Sequence, residues 1–235
     1  MGSVFRFKEF EVDQADCAMK INTDGVLLAA YARQPDAKRI LDIGTGTGVI
    51  ALMLAQQYPT AIVHGVEIDA QAAQRAASNF SAAPFPNEMH LFSGSFEDLA
   101  VGEAYDLIVS NPPFYTNSLH NPDVRKTLAK HTDSAFFEKL ISFVSRRLSP
   151  EGSFHCIVPA ELADWLVERL LPEQELYLQS ELAISSFADG PIIRKLLKIG
   201  HSAGQVELAR FPIYAAKAVY SEAYKALLKP YFLAF

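Results

Sequence analysis

Leu41-Asp42-Ile43-Gly44-Thr45-Gly46-Thr47-Gly48 is the stretch that decides the fold. Arg39 to Ile43 reads as a short buried strand and Val49 to Gln57 as a helix, so the glycines fall in the turn between them. Glycine lets a backbone turn tightly and approach a ligand with no Cβ in the way. In a dinucleotide site the helix after such a turn receives a pyrophosphate at its N-terminus. Here the spacing is Gly-x-Gly-x-Gly, one residue short of Gly-x-Gly-x-x-Gly, and Asp42 stands just before the turn. That combination suits a zwitterionic amino-acid cofactor better than a pyrophosphate.

Outward from the turn, strands alternate with helices. Ala61 to Glu67 predicts a strand, Ala70 to Phe80 a helix, and Met89 to Phe92 and Tyr105 to Ser110 two further strands. Ser134 to Leu148 predicts a helix, Glu151-Gly152 a turn, Ser153 to Val158 a strand, and Ala160 to Leu171 a helix ended by Pro172. Leu176 to Ile184, Arg194 to His201 and Gln205 to Phe211 read as strands, with Gly204 turning the last two into an antiparallel pair. Upstream, Phe5, Phe7, Phe10 and Val12 suggest a strand or hairpin, and Thr23-Asp24 an N-cap for a helix through Tyr31. The expected fold is α/β: a Rossmann-like, doubly wound, mostly parallel seven-stranded sheet with an antiparallel C-terminal strand pair. No linker divides the chain, so residues 1–235 are expected to form one domain. Within it, residues 1–38 (hairpin and helix) cover the cofactor site and 39–235 form the core.

Composition agrees with one large domain, since half of the 235 residues are hydrophobic and a fifth charged. The formal net charge of -6 counts against a binder that relies on a general positive field, though not against a local basic patch. Cys17 and Cys156 make no disulfide framework, and no Cys/His cluster suggests a metal. Met1 to Glu11 lacks the apolar core of a signal peptide, and no apolar run is long enough to span a bilayer. The expectation is therefore a cytoplasmic protein, monomeric, without metal or membrane partner.

Two further elements fall at strand ends beside the glycine turn. Glu67 closes its strand, where a carboxylate accepts from both ribose hydroxyls, with Ile68 next to it; Asp69 reads instead as the cap of the helix from Ala70. Ser95 and Phe96 follow the third strand, at the rim where an adenine would lie, with Phe96 placed to cover the ring. A glycine turn alone can merely join strand to helix. Three elements in this order point to a nucleotide-type cofactor, and S-adenosylmethionine is preferred over NAD. The cofactor contacts expected are Asp42, Gly44, Gly46, Gly48, Glu67, Ile68, Ser95, Phe96 and Asn111.

Asn111-Pro112-Pro113-Phe114 follows the strand Tyr105 to Ser110. An exocyclic amine on a base or amide has its lone pair delocalised into the π-system. The Asn111 side-chain oxygen and the Pro112 carbonyl can accept its two N–H bonds and turn the lone pair toward a methyl donor. The prolines stiffen the loop, and Phe114 offers a stacking face. No cysteine sits in this loop, which argues against covalent attack on a pyrimidine.

On these motifs the chain resembles the class I methyltransferases of the Asn-Pro-Pro-Phe/Tyr group. More narrowly it resembles the tRNA adenine-N6 methyltransferases that modify valine tRNA beside the anticodon, at position 37. That likeness extends to Phe5-Arg6-Phe7-Lys8-Glu9-Phe10, to Cys17-Ala18-Met19-Lys20-Ile21 running into Thr23-Asp24-Gly25, and to Tyr220-Ser221-Glu222-Ala223-Tyr224. It implies that the segment from Lys20 to Thr23 closes over the methionine end of the cofactor. Tyr220 and Tyr224 are four residues apart, for which packing is a sufficient explanation.

A tRNA partner asks for basic groups near the acceptor loop. Arg125, Lys126, Lys130 and His131, in a polar stretch from Tyr115 to Asp133 that can order on RNA, are the first candidates. Arg6, Lys8, Lys20, Arg194, Lys195 and Lys198 are secondary ones; ordinary solvated charge is the alternative for each. A release-factor glutamine and guanine N2 of rRNA are rival acceptors. Relatives acting on them carry extra domains, whereas only about forty residues precede the glycine turn here. An idle binding module would have no need of the acceptor pair, and a dehydrogenase fits neither the glycine spacing nor the tetrapeptide.

Overall fold

The computed structural model describes residues 4–15, 17, 20–100, 102, 104–112 and 122–235, with 122–133 described by backbone alone. The chain begins with an antiparallel pair, β1 (Val4–Arg6) and β2 (Glu11–Asp13). Phe7 and Phe10 stack at 4.4 Å in its bend, and Phe5 and Phe7 both meet Phe232. Lys8 Nζ donates to the carbonyls of Lys229 and Phe235 at 2.6 and 2.7 Å, tying the hairpin to the far end of the chain.

Helix α1 (Thr23–Tyr31) is capped by Asn22, whose Oδ1 accepts from the Gly25 amide at 2.9 Å. The cap is thus one residue earlier than Thr23-Asp24, and the Asp24 carboxylate sits in the first turn, where it complements the helix dipole. There follow β3 (Arg39–Ile43), α2 (Val49–Gln57), β4 (Ile62–Glu67), α3 (Ala70–Ala82), β5 (Met89–Ser93), β6 (Tyr105–Ser110), α4 (Pro122–Arg147) and β7 (Leu148–Val158). Helix α4 is longer than the predicted Ser134–Leu148. Strand β7 also runs through Glu151-Gly152, because those residues form a bulge in its register with β6 rather than a turn.

Helix α5 (Ala160–Trp165) continues through a π-turn (Leu166–Leu170) into α6 (Leu171–Glu173). Pro172 therefore does not stop the helix where it stands; the wide turn ahead of it gives its ring room. The remainder is β8 (Tyr177–Ser185), β9 (Ile192–Gly200), β10 (Glu207–Pro212), the pair β11 (Tyr214–Ala216) and β12 (Val219–Tyr220), and α7 (Glu222–Leu228). Among the described residues no helix is long and apolar enough to cross a membrane.

The central sheet is ordered β10-β8-β9-β7-β6-β3-β4-β5, eight strands rather than the seven expected. It is mostly parallel, with β9 antiparallel to β7 and β8. The C-terminal antiparallel pair is therefore β8 with β9, not β9 with β10. Strand β9 has both edges filled, so the chain after Gly204 crosses to the free edge of β8 and pairs parallel with it.

Helices cover both faces, as the alternation predicts. Successive β3 residues point to opposite cores: Ile40 toward Leu28, Leu52 and Leu228, Leu41 toward Leu140, Val144 and Leu166.

Parallel neighbours β4, β3 and β6 end together, which brings Glu67, the glycine turn and Asn111 to one edge. Gly48 opens α2 at φ 88°, and a Cβ there would lie 2.6 Å from Phe80 Cε1. Gly48→Ala should therefore cost about 1–3 kcal/mol through strain and overpacking. Urea unfolding would read this as a lower midpoint at unchanged slope.

Candidate active site

The turn after β3 is held by two carboxylates. Asp42 is fully buried, and its Oδ2 accepts from Thr45 Oγ1 at 2.6 Å and from the Ala51 amide at 3.2 Å. Glu67 takes the Gly46 amide on Oε2 and the Asp69 amide on Oε1, both at 2.9 Å. The Gly44 and Thr45 amides add bonds to the Val66 carbonyl at 2.9 and 3.1 Å. Burial pushes the Asp42 carboxyl up to about 7; its bonds from Thr45 and Ala51 oppose the shift, and the nearby Glu67 charge adds to it.

Two cavities flank the turn. A cleft of about 400 Å³ is lined by Gly44, Glu67, Ile68, Ser95, Phe96 and Pro112, together with Ser110, Phe136 and Lys139. A smaller one, about 40 Å³, is lined by Lys20, Ile21, Asn22, Gly25, Gly44, Gly46 and Asn111. Gly44 borders both, and Asn111 and Pro112, adjacent in the chain, face one cavity each. A Cβ at Gly46 would meet nothing within 4 Å, so its positive φ of 57° and the open approach account for the glycine.

Most expected contacts thus come together, with four departures. Asp42 lines neither cavity; it lies beneath the turn and holds its shape. Gly48 also lines neither, being packed against Phe80. Thr23 is exposed in the first turn of α1, and its neighbour Asn22 borders the small cavity instead. Phe96 is 8 % exposed and edge-packed against Phe136 and Phe143, centroids 5.9 and 5.3 Å away, so it forms a wall rather than a cover. Ile68, 76 % exposed, stands at the cleft mouth as the free apolar surface. Phe114 lies outside the described residues.

Asn22 falls within the expected segment from Lys20 to Thr23 but is not singled out by the sequence reading, which misses Phe136 and Lys139. The first carried a signal, because an Asn before Thr-Asp is as good a cap as either. The other two come from α4, remote in sequence, where Lys139 meets Glu97 at 3.1 Å. Of the basic candidates, Arg125, Lys126, Lys130 and His131 fall on the α4 backbone, and their side chains lie outside the described residues. Arg6 pairs with Glu11 at 2.9 Å and Arg194 with Asp24 at 2.8 Å, while Lys195 meets Asp164 at 2.6 Å and Glu181 at 3.1 Å. Lys198 faces another cavity, beside His155 and Ser180. These groups serve internal structure first.

Asn79, also missed, links the N-terminal hairpin to the glycine turn. Its Nδ2 donates to the carbonyls of Thr47 and Asp13 at 2.8 and 2.9 Å, and its Oδ1 accepts from the Asp13 amide at 3.0 Å. One residue on, Gln14 Oε1 accepts from the Ile21 amide at 3.0 Å, which sets Ile21 in the wall of the small cavity. Arg75 meets Asp13 at 2.6 Å.

S-adenosylmethionine fits this pair of cavities. The cleft has room for a nucleoside against Ile68 and the Phe96 wall, and Glu67 has lone pairs left beyond its two amide bonds for ribose hydroxyls. The narrow cavity presents Asn22, Asn111 and the turn backbone to an amino-acid end. Residues 17–163 match the family model described as methyltransferase small domain. The chain belongs to that family.

Relatives of this methyltransferase include a Pedobacter heparinus protein 48% identical over 235 residues, covering 100% of both chains. A Parabacteroides distasonis protein is 37% identical over 232 residues, 97% of each. Both are named tRNA1(Val) (adenine(37)-N6)-methyltransferase. Among solved structures, a predicted O-methyltransferase from Agrobacterium tumefaciens superposes with a TM-score of 0.66 at 17% identity, over 88% of this chain and 96% of that one. A ribosomal protein L11 methylase from Lactobacillus delbrueckii gives 0.55 at 16%, over 76% and 78%. These two share the fold.

Asn79→Ala should weaken S-adenosylmethionine binding by about 1–2 kcal/mol in calorimetry, because the turn and the hairpin lose their common tie. The Asp42 carboxyl binds its proton more tightly folded than unfolded, so its effect opposes folding increasingly as pH rises from 3.8 toward about 7. Relative to Asp42→Asn, the wild-type protein should lose stability over that range; parallel curves in denaturant titrations would refute the shift.

Proposed function

We propose that the chain transfers a methyl group from S-adenosylmethionine to N6 of an adenine in tRNA, position 37 of valine tRNA. The supporting observation is the placement of Asn111 and Pro112 at the join of the two cavities, in a chain 48% identical over its full length to a relative named for that reaction.

The cofactor supplies an electrophilic methyl on a sulfonium. The rest is the work of the protein. The turn at Gly44–Gly46 and the carboxylate of Glu67 fix the donor's ribose and amino-acid ends relative to β6. The Asn111 carboxamide oxygen and the Pro112 carbonyl accept the two N–H bonds of the adenine amine, which frees the nitrogen lone pair to point along the transfer axis. Both groups sit on a strand end that is itself pinned, since Ser110 Oγ donates to the Ile43 carbonyl at 2.9 Å. The Asn111 side chain rests on α1, its Nδ2 3.5 Å from the place a Gly25 Cβ would take. A shift of α1 would thus misplace the acceptor. Phe114 stacks on the base in this reading.

Residues 1–38 serve as the cover of the methionine end and 39–235 as the core of one domain. The cytoplasm, where tRNA is found, is the place of action.

Asn111→Ala should reduce single-turnover methyl transfer about 10²–10³-fold, the usual loss when one preorganised polar contact is removed. Its dissociation constant for S-adenosylmethionine should rise far less, by about three-fold, because Lys20, Asn22 and the turn backbone still line the small cavity. With labelled cofactor and total tRNA, total rRNA and a release factor as acceptors, N6-methyladenosine should appear in tRNA alone. Label in guanine or in glutamine would overturn the substrate.

A further inference from the structure

Strand β8 runs parallel to β6 and β7, so the loop 186–191 after it emerges at the same sheet edge as Asn111. Three strand spacings, about 14 Å, separate β6 from β8. On this loop Phe187 is 44 % exposed and belongs to neither core. The loop is nonetheless stiff: the Phe187 carbonyl accepts from the Gly190 amide at 3.0 Å and from Ser185 Oγ at 2.8 Å, and Arg210 Nη2 donates to the Gly190 carbonyl at 2.5 Å.

Behind Phe187 stands a ladder of tyrosines. Tyr214 is 6.0 Å from it, Tyr214 and Tyr220 stack at 5.1 Å, and Tyr220 and Tyr224 at 4.6 Å and 8°. Tyr220, 37 % exposed, stacks on both Tyr214 and Tyr224, and Tyr224 is buried, which leaves Phe187, 44 % exposed, at the outer end of the series. Beside it the exposed Arg210 is tied to the loop through Gly190, and Arg194, at the start of the next strand, pairs with Asp24 on the α1 turn that touches Asn111.

We propose that Phe187 is a stacking platform for an unpaired base of the RNA strand that carries the target adenine, a few nucleotides from it. The exposed Arg210 beside the loop faces that strand's phosphates. A rigid exposed aromatic loses little entropy on stacking and accepts any base, whereas a loop built only for connection has no need of a propped phenyl ring. The inference rests on an RNA acceptor.

The test uses the full chain with valine tRNA. Phe187→Ala should raise KM for tRNA about ten-fold or more, from the loss of one base–aromatic stack, with affinity for S-adenosylmethionine unchanged. Phe187→Trp should restore KM, and its added fluorescence, above that of Trp165 in the wild type, should be quenched on tRNA binding. Methylation of tRNA by the wild type with an unchanged KM in Phe187→Ala overturns the platform alone. A parallel loss of cofactor affinity assigns Phe187 to folding and overturns it too. No transfer to any RNA by the wild type overturns both this inference and the proposed function.

Discussion

Two carboxylates clamp the glycine turn, and the site is built on that clamp. Asp42 grips the glycine turn from beneath through Thr45 and Ala51, and Glu67 grips it from the side through Gly46. Each carboxylate sits at or near the end of a parallel strand, and β3 lies between β4 and β6. The positions of Glu67, the turn and Asn111 relative to one another therefore follow from sheet register alone. A preorganised donor site of this kind needs no movement of the turn, only occupation of the two cavities beside it.

The acceptor side is organised differently. With a net charge of -6, the chain has no broad positive field, and Arg6, Arg194 and Lys195 hold carboxylates of their own surface. Recognition of a polyanion under those conditions depends on shape, stacking and a few placed cations rather than on long-range attraction. Salt sensitivity of such an encounter is correspondingly shallow.

The alternating core is legible in sequence because its strands are short apolar runs cut by helices of ordinary length, and because β3 to β6 pair only with neighbours of the same direction. Strands β3 to β6 lie within about a residue of the expected bounds, while β7 begins at Leu148 rather than Ser153. The C-terminal third was less legible. Whether β10 pairs with β9 or β8 is decided by which edge is free, a property of the assembled sheet and not of Gln205 to Phe211. The same holds at the site. Gly44, Glu67 and Asn111 announce themselves by spacing, whereas Asn79 and Phe136 act through contacts with residues dozens of positions away. For Asp42 the sequence is silent on orientation, because an acidic residue before a glycine turn has the same one-dimensional signature whether it faces the ligand or the turn's underside. Only its complete burial distinguishes the two.

The Lys8 ammonium, held by the carbonyls of Lys229 and Phe235, joins the second strand's approach to a segment more than two hundred residues later. A chain emerging from the ribosome N-terminus first has β1, β2 and α1 in hand long before their partners exist. Until residues 229–235 are out, the aromatic face of Phe5 and Phe7 has no Phe232 to cover it, and the hairpin that steadies Ile21 lacks its anchor. The core around the glycine turn draws on residues 39–110, whereas the hairpin beside the small cavity gains its anchor only once residues 229–235 have been made.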